Sequence, residues 1–289
     1  MTEAEFIAAL RALPLHRGAL DLRDDAARIG DLVLTTDMIA EGVHFLASDP
    51  PGDVAWKLVA VNLSDLAAKG AVPEGIMLGY PLGDEAWDAA FLDGLGAALT
   101  AFDCPLLGGD TIRTAGARTF AITAIGRAAV APSRGGARIG DRLWVTGTIG
   151  DAGIGLAIAQ GADGPAELLA RYRRPVPRLA EGRALAPVAT AMMDISDGLL
   201  IDAERMADAS GCGVTIELGA VPLAPLHPGD RIAAVTAGDD YELLFALPDG
   251  VSPPVAATRI GRFAPEPGLR LTSAGAPFAL PDRLGYQHG

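Results

Sequence analysis

Aspartates recur where the surrounding helix or strand sequence is otherwise apolar: Asp24 and Asp25 in RDDAA, Asp37 in VLTTDM, Asp65 in VNLSDLAA, Asp110 in LLGGDT, Asp194 and Asp197 in MMDISDGL, and Asp239 with Asp240 in TAGDDYELLF. A carboxylate in apolar surroundings is costly unless it pairs with a cation or binds a metal. The chain offers few cations, with 23 Lys and Arg against 36 Asp and Glu and a formal net charge of −13. Hard divalent cations take oxygen ligands, and Mg2+ combines carboxylates with phosphate oxygens and water. Converging aspartates without His or Cys therefore suggest Mg2+ and a phosphorylated substrate. Taken singly, each Asp also reads as a helix cap or turn residue. Their joint occurrence favours the metal.

Other chemistries fit less well. The four histidines, His16, His44, His227 and His288, form no HxxH or HExxH pair, which argues against a zinc hydrolase. No GxSxG elbow occurs, and Cys104 and Cys212 lie far apart without CxxC spacing. The glycine-rich run Gly147 to Gly153 resembles a phosphate loop but lacks both a GK[ST] ending and GxGxxG spacing. It reads equally well as a tight strand-to-helix turn. The acidic balance disfavours nucleic acid as a partner. Mean hydropathy is +0.29. Yet no run approaches the ~18 uncharged apolar residues of a spanning helix, and the N-terminus is acidic where a secretory signal needs basic residues. These features predict a cytoplasmic protein without a membrane association. Lysine occurs only at Lys57 and Lys69. With the abundance of alanine, that skew reads as codon composition rather than chemistry.

The elements that must position these residues alternate between helix and strand, which predicts an α/β or α+β fold. Helices are expected over 2–13, 53–69, 85–101, 153–160, 178–190 and 199–209. Strands are expected over 31–37, 74–80, 104–107, 118–127, 142–146, 192–195, 214–218 and 240–247. Asp53 is the expected cap of the 53–69 helix, with Gly70 and Pro73 stopping it. The stretch 128–141 has Pro, Gly and Arg but little periodicity, and marks a boundary between domains of residues 1–130 and 131–289.

The segments DDAA (24–27), TTDMIAEGVHF (35–45), WKLVAVNLSDLAAKGAVP (56–73), LLGGDT (106–111), GDRLWVTGTIGDAGIGLAI (140–158), MDISDGLLID (193–202), GDDYELLF (238–245) and GYQH (285–288) run through nearly the whole chain. In this order they resemble the thiamine-monophosphate kinase family of the aminoimidazole-ribonucleotide-synthetase-like superfamily. The resemblance implies transfer of the ATP γ-phosphoryl group to thiamine monophosphate, giving thiamine diphosphate. It implies several Mg2+ ions held at Asp25, Thr35, Thr36, Asp37, Asp65, Asp110, Asp194 and Asp197, with Asp65, Asp110 and Asp197 stabilising charge in catalysis. It places ATP at Gly109, Asp110, Arg134 and Ser196, and the thiamine phosphate at His44, Asp239 and Tyr286. The implied fold is an N-terminal α/β domain that holds metal and ATP and dimerises through its sheet, followed by an α/β domain that completes both substrate sites.

Physical chemistry agrees with that expectation. Donor and acceptor are both anionic, and phosphoryl transfer is mainly positioning and charge neutralisation, so no covalent nucleophile is required. A thiazolium cation suits an acidic side chain and a tyrosine ring. The sequence departs from the family at Arg23, where Gly usually precedes DDA, at Asp239, which replaces Glu, and after GYQH, where an aromatic often follows. The alternatives are another enzyme of the superfamily or a catalytically silent nucleotide-binding scaffold. Selenophosphate synthetase needs a reactive Cys near the N-terminus, and none precedes Cys104. The hydrogenase-maturation relative ends in a Cys-containing tail, and this chain ends YQHG. The purine-pathway enzyme lacks the NLSDLAAKGA and DDYEL wording. A silent scaffold would be expected to lose metal carboxylates, and all are present here.

Overall fold

After the short helix α1 (Glu3–Leu10), helix α2 (Pro51–Ala68) explains the layout. Its residues from Val54 to Ala68 are buried on almost every side, Trp56 being half-buried. A helix apolar all round must be covered all round. The stripe Val59, Leu63 and Leu66 meets the first sheet, whereas Ala67 and Ala68 pack with Leu185, Ala186 and Met192 of the second half. Pro51 supplies the preset φ of a first helical residue. Asp53 is not the cap; it lies in the first turn and pairs with Arg174 Nε at 2.5 Å. Gly70 ends the helix with φ +61°, as expected.

The computed structural model describes residues 1–287; His288 of the GYQH segment and Gly289 lie outside the described residues. The first sheet comprises β1 (Ala27–Ile29), β2 (Leu32–Ala40), β3 (Val72–Pro81), β4 (Leu106–Ile112) and β5 (Thr119–Arg127), in the order β1-β2-β5-β3-β4. Only the β3–β4 pair is parallel. Helix α3 (Glu85–Ala101) supplies the crossover that parallel pairing demands. Its boundaries match the sequence because Asp84 caps it, accepting the Trp87 N–H at 3.0 Å. The aromatic residues, few in number, gather on this side of the molecule, where Trp87, Phe91 and Phe120 stack with centroids 5.0 to 5.5 Å apart. β4 runs on through Gly108-Gly109-Asp110 rather than stopping before them. A Cβ at Gly109 would lie 2.0 Å from the Leu78 carbonyl oxygen, so glycine is what lets β4 approach β3.

The second sheet contains β6 (Arg142–Val145), β7 (Ala191–Asp194), β8 (Gly213–Glu217), β9 (Leu243–Leu247), β10 (Thr258–Ala264), β11 (Gly268–Ser273) and β12 (Ala276–Phe278), in the order β12-β11-β8-β10-β6-β9-β7. Helix α7 (Leu199–Ser210) closes its core with Leu199, Leu200, Ala203 and Met206. Helices α4 (Asp151–Ala159), α5 (Ala166–Arg173), α6 (Leu179–Leu185) and α8 (Arg231–Thr236) complete this half. The alternation of strands and helices gives the expected mixed α/β class. The sequence reading misses β1, α5, α8 and β10 to β12, and overextends α6. The strand expected from Asp240 starts only at Leu243, because Asp239 (φ +68°) and Tyr241 (φ +50°) take left-handed backbone conformations.

Candidate functional site

Carboxylates from four elements meet between the two sheets. The loop before β1 brings Asp25, β2 brings Thr35 and Asp37, α2 brings Asp65, and the end of β7 brings Asp194. Strand alternation turns Thr35 and Asp37 toward α2. The Thr35 hydroxyl makes a short hydrogen bond to Asp65. Asn62 on α2 accepts the Asp37 N–H at 2.9 Å. Ser64 donates to Asp194 Oδ2 at 2.6 Å, tying α2 to the second sheet.

The charges in this cluster are unevenly compensated. Burial, then Asp25 and Asp197, push the Asp37 carboxyl up to about 6. Burial, then Asp25, raise Asp194 to about 8, against the Ser64 hydrogen bond. Burial, followed by Asp37, Asp194 and Asp25, puts Asp65 well above the carboxylate range. Asp25 goes the other way. Burial opposes its charge, but Lys69 at 2.7 Å and the Arg134 guanidinium overcome this and lower its pKa.

The Ser196-Asp197 turn lies beside the cluster and is held by a residue not singled out from the sequence. Asp202, fully buried, accepts the N–H groups of Ser196, Asp197 and Gly198 at 3.1, 3.1 and 3.2 Å. Arg205 bridges Asp202 at 2.9 Å and Asp197 at 2.5 Å. The position of Asp202 in the first turn of α7 was the available signal, since a carboxylate there can cap the preceding loop. The tail follows the same turn. Tyr286 donates its N–H to the Asp197 carbonyl at 2.8 Å, and Gly285 approaches so closely that a Cβ would stand 2.4 Å from that oxygen.

Two of the residues expected around the acceptor, His44 and Asp239, meet at Lys57, whereas Tyr286 lies along the Asp197 turn. The Lys57 ammonium donates to Asp239 at 2.7 Å and to the His44 carbonyl at 2.8 Å, and lies 4.1 Å from the centroid of the Tyr172 ring. Tyr241 donates to the other Asp239 oxygen at 2.9 Å. Asp239 is thus already ion-paired, which the sequence does not reveal. His44 Nδ1 accepts the Ala40 N–H at 3.1 Å, closing a turn and setting the neutral tautomer with its proton on Nε2. Arg23 is exposed with φ −119°, a conformation that needs no glycine.

Three expected residues stand apart. Thr36 faces the opposite side of β2 and pairs with Thr123 at 2.8 Å; only its main chain borders the cluster. Gly109 shares a row with Asp37 through Ile122 and Leu78, three strands away, or about 14 Å at the usual strand spacing. Asp110 shares the next row with Met38, on the outer face, and is exposed on the β4 edge. Leu106, Leu107 and Ile112 on the same edge are also exposed.

Among the described residues, no three His, Cys, Asp or Glu side chains form a ready metal cage. Lys69, Arg134, Ser64, Thr35 and Arg205 occupy their oxygens. The donor set still fits Mg2+, being buried, all-oxygen and undercompensated at Asp37, Asp65 and Asp194.

Comparison with known proteins adds to this geometry. A family model described as AIR synthase related protein, N-terminal domain, matches residues 23–128, and its C-terminal counterpart matches 138–271. The thiamine-monophosphate kinase of Caulobacter vibrioides is 41% identical, covering 100% of this chain and 91% of the relative. A solved structure described as AaThiL complexed with AMPPCP and TMP superposes with a TM-score of 0.88 at 29% identity, over 100% of this chain and 97% of that one. The thiamine-monophosphate kinase from Stenotrophomonas maltophilia gives 0.77 at 34% identity, over 95% and 96%. With both family domains present in order and a relative matched along its whole length, the chain belongs to the thiamine-monophosphate kinase family.

Proposed function

We propose that this protein transfers the γ-phosphoryl group of ATP directly to thiamine monophosphate in a Mg2+-dependent reaction. The bond from the γ-phosphorus to the ADP oxygen breaks, and a bond to an acceptor phosphate oxygen forms. The observation that carries this reading is the buried, undercompensated trio Asp37, Asp65 and Asp194 beside Arg134, a site suited to cations and phosphates. The AaThiL complex with AMPPCP and TMP supports the pairing of nucleotide and acceptor.

Asp25, Thr35, Asp37, Asp65, Asp194 and Asp197 would hold Mg2+, with Thr36 contributing through its main chain. The bound ions supply neutralisation of phosphate charge. Asp65 and Asp197 keep the negative field that concentrates those ions at the point of transfer. Arg134 exchanges part of its contact with Asp25 for phosphate oxygens, and Ser196 orients the nucleotide at the turn that Asp202 rigidifies. His44, Asp239 and Tyr286 line the acceptor side. Because Lys57 balances Asp239, the ring face of Tyr286 carries more of the thiazolium recognition than Asp239 does. Residues 1–130 supply most of the metal and ATP site, and 131–289 complete it.

Gly109 and Asp110 lie on the unpaired β4 edge, so a role for them in ATP or metal binding requires that edge to be closed. A homodimer formed through the first sheet would cover it, in keeping with the exposed Leu106, Leu107 and Ile112. A cytoplasmic location fits the acidic charge, and among the described residues no helix is long and apolar enough to cross a membrane. Purified protein incubated with ATP, Mg2+ and thiamine monophosphate should yield thiamine diphosphate and ADP in equal amounts. ADP without thiamine diphosphate would overturn the assignment.

A further inference from the structure

Lys69 follows the last turn of α2, and its side chain is only 3% exposed. Its ammonium is surrounded by oxygen: Asp24 Oδ1 at 2.5 Å, Asp25 Oδ2 at 2.7 Å, the Met192 carbonyl at 3.0 Å and the Pro132 carbonyl at 3.3 Å. The two carbonyls accept hydrogen bonds. Asp24 and Asp25 hold the ammonium by charge. The four oxygens come from three separate parts of the chain: the loop before β1, the segment following β5, and β7. This is a small, closed, hard-oxygen cage, the donor chemistry of a bare cation rather than of a surface ion pair. The neighbouring groups are charged in a complementary way. Arg134 takes the other Asp25 oxygen, and its N–H reaches Asp24 Oδ1 at 3.3 Å.

We propose that Lys69 is a tethered cation occupying what is otherwise a monovalent-cation site, and that it thereby positions Asp24 and Asp25 at the edge of the carboxylate cluster. The side chain tethers the ammonium among these four oxygens, so the cage is filled without exchange with solvent. One consequence rests on the proposed phosphoryl transfer: Asp25 reaches its place without an added monovalent ion.

The cage itself can be tested without any activity measurement. Lys69→Ala removes the ammonium and leaves space for a free one. Lys69→Met fills the space with an uncharged chain of similar length. Thermal unfolding of each, and of the unaltered protein, is followed in ammonium chloride and in tetramethylammonium chloride at equal ionic strength with chelator present. Ammonium matches the lost group, whereas tetramethylammonium is too large for the cage. The Lys69→Ala protein should gain about 2–4 °C in Tm per tenfold rise in ammonium once the site is filling, and should not respond to tetramethylammonium beyond its ionic strength. The unaltered protein and Lys69→Met should treat the two salts alike. If Lys69→Ala does not fold alone, refolding in ammonium but not in tetramethylammonium supports the proposal. Equal responses to the two salts, an ammonium-specific response in Lys69→Met, or failure to refold in either salt while Lys69→Met folds, would each overturn it. The outcome is independent of the kinase assay, so failure of the cage and failure of the proposed reaction are distinguishable.

Discussion

Replacing Asp194 by Asn should stabilise the metal-free protein at neutral pH. Asp194 is 5% exposed, and its carboxyl is pushed up to about 8 by burial and by neighbouring carboxylates. In the unfolded chain the same group titrates near 3.8. The native state therefore binds the proton more tightly. Stability from the neutral form is complete below pH 3.8 and is lost as pH rises toward and through 8. Between pH 5 and 7.5 the unfolded chain is ionised here while the native carboxyl remains mostly protonated. At about 1.4 kcal/mol per pH unit, wild type forfeits roughly 3 kcal/mol over that interval through this residue. Asn keeps the shape, and its carbonyl oxygen can still accept the Ser64 hydroxyl, so the substitution removes charge without creating a cavity. Urea unfolding in chelator should show Asp194→Asn gaining on wild type by roughly 3 kcal/mol from pH 5 to 7.5. Mg2+ should narrow the gap by stabilising wild type, and thiamine diphosphate formation by the variant should fall by orders of magnitude. A gap independent of pH, or a variant less stable than wild type at pH 7.5, would refute the account of uncompensated burial.

Other perturbations test the rest of the site. Excess chelator should abolish thiamine diphosphate formation, and Mg2+ should restore it; full activity in chelator would remove the metal from the mechanism. Incubation with γ-labelled ATP alone should leave no label on denatured protein, because Cys104 and Cys212 are buried with raised pKa values. Lys57→Met should raise the KM for thiamine monophosphate about tenfold, as expected for about 1.4 kcal/mol of lost positioning, and leave the KM for ATP nearly unchanged. Tyr286→Ala should raise the acceptor KM by about 3- to 30-fold if the ring provides the π face; an equal change in the KM for ATP would place the tail elsewhere.

The carboxylate segments were legible because charge in an apolar run is a local anomaly, visible without knowing what packs against it. The helix over 85–101 was legible for the same local reason, its Asp84 cap. Three kinds of feature were not. Asp239 and Lys57 lie 182 residues apart, and their pairing is a property of the packed fold alone. Strands β10 and β12 carry no strong alternation and β11 only the short Leu269–Leu271 one, and they are held by partners such as β8, which pairs with β10 on one side and β11 on the other. The inward direction of Thr35 and Asp37 was available from the two-residue period of a strand, and the same period excludes the side chain of Thr36. Asp110 escaped for a related reason. Its glycine neighbours suggested a loop, but they let β4 continue as an exposed edge.

The distribution of lysine turns out to be chemical. Arginine pairs with exposed acids, as at Arg127 with Asp31 and Arg142 with Asp249, and with buried ones, as at Arg205 with Asp202. Lys57 and Lys69 are the chain's two lysines, and each is 2% exposed with its ammonium at a carboxylate of the candidate site, half-buried at Asp239 and buried at Asp25. An ammonium is a compact point charge that oxygens can surround, whereas a guanidinium needs a planar fork of partners. The carboxylates fall into two groups accordingly. Asp24, Asp25 and Asp239 have internal cations and are held in place before anything binds. Asp37, Asp65 and Asp194 have none and lie between them with raised pKa values. A site assembled this way gathers its uncompensated carboxyls in one region between the sheets, where the positive charge that would ionise them has to come from outside the chain.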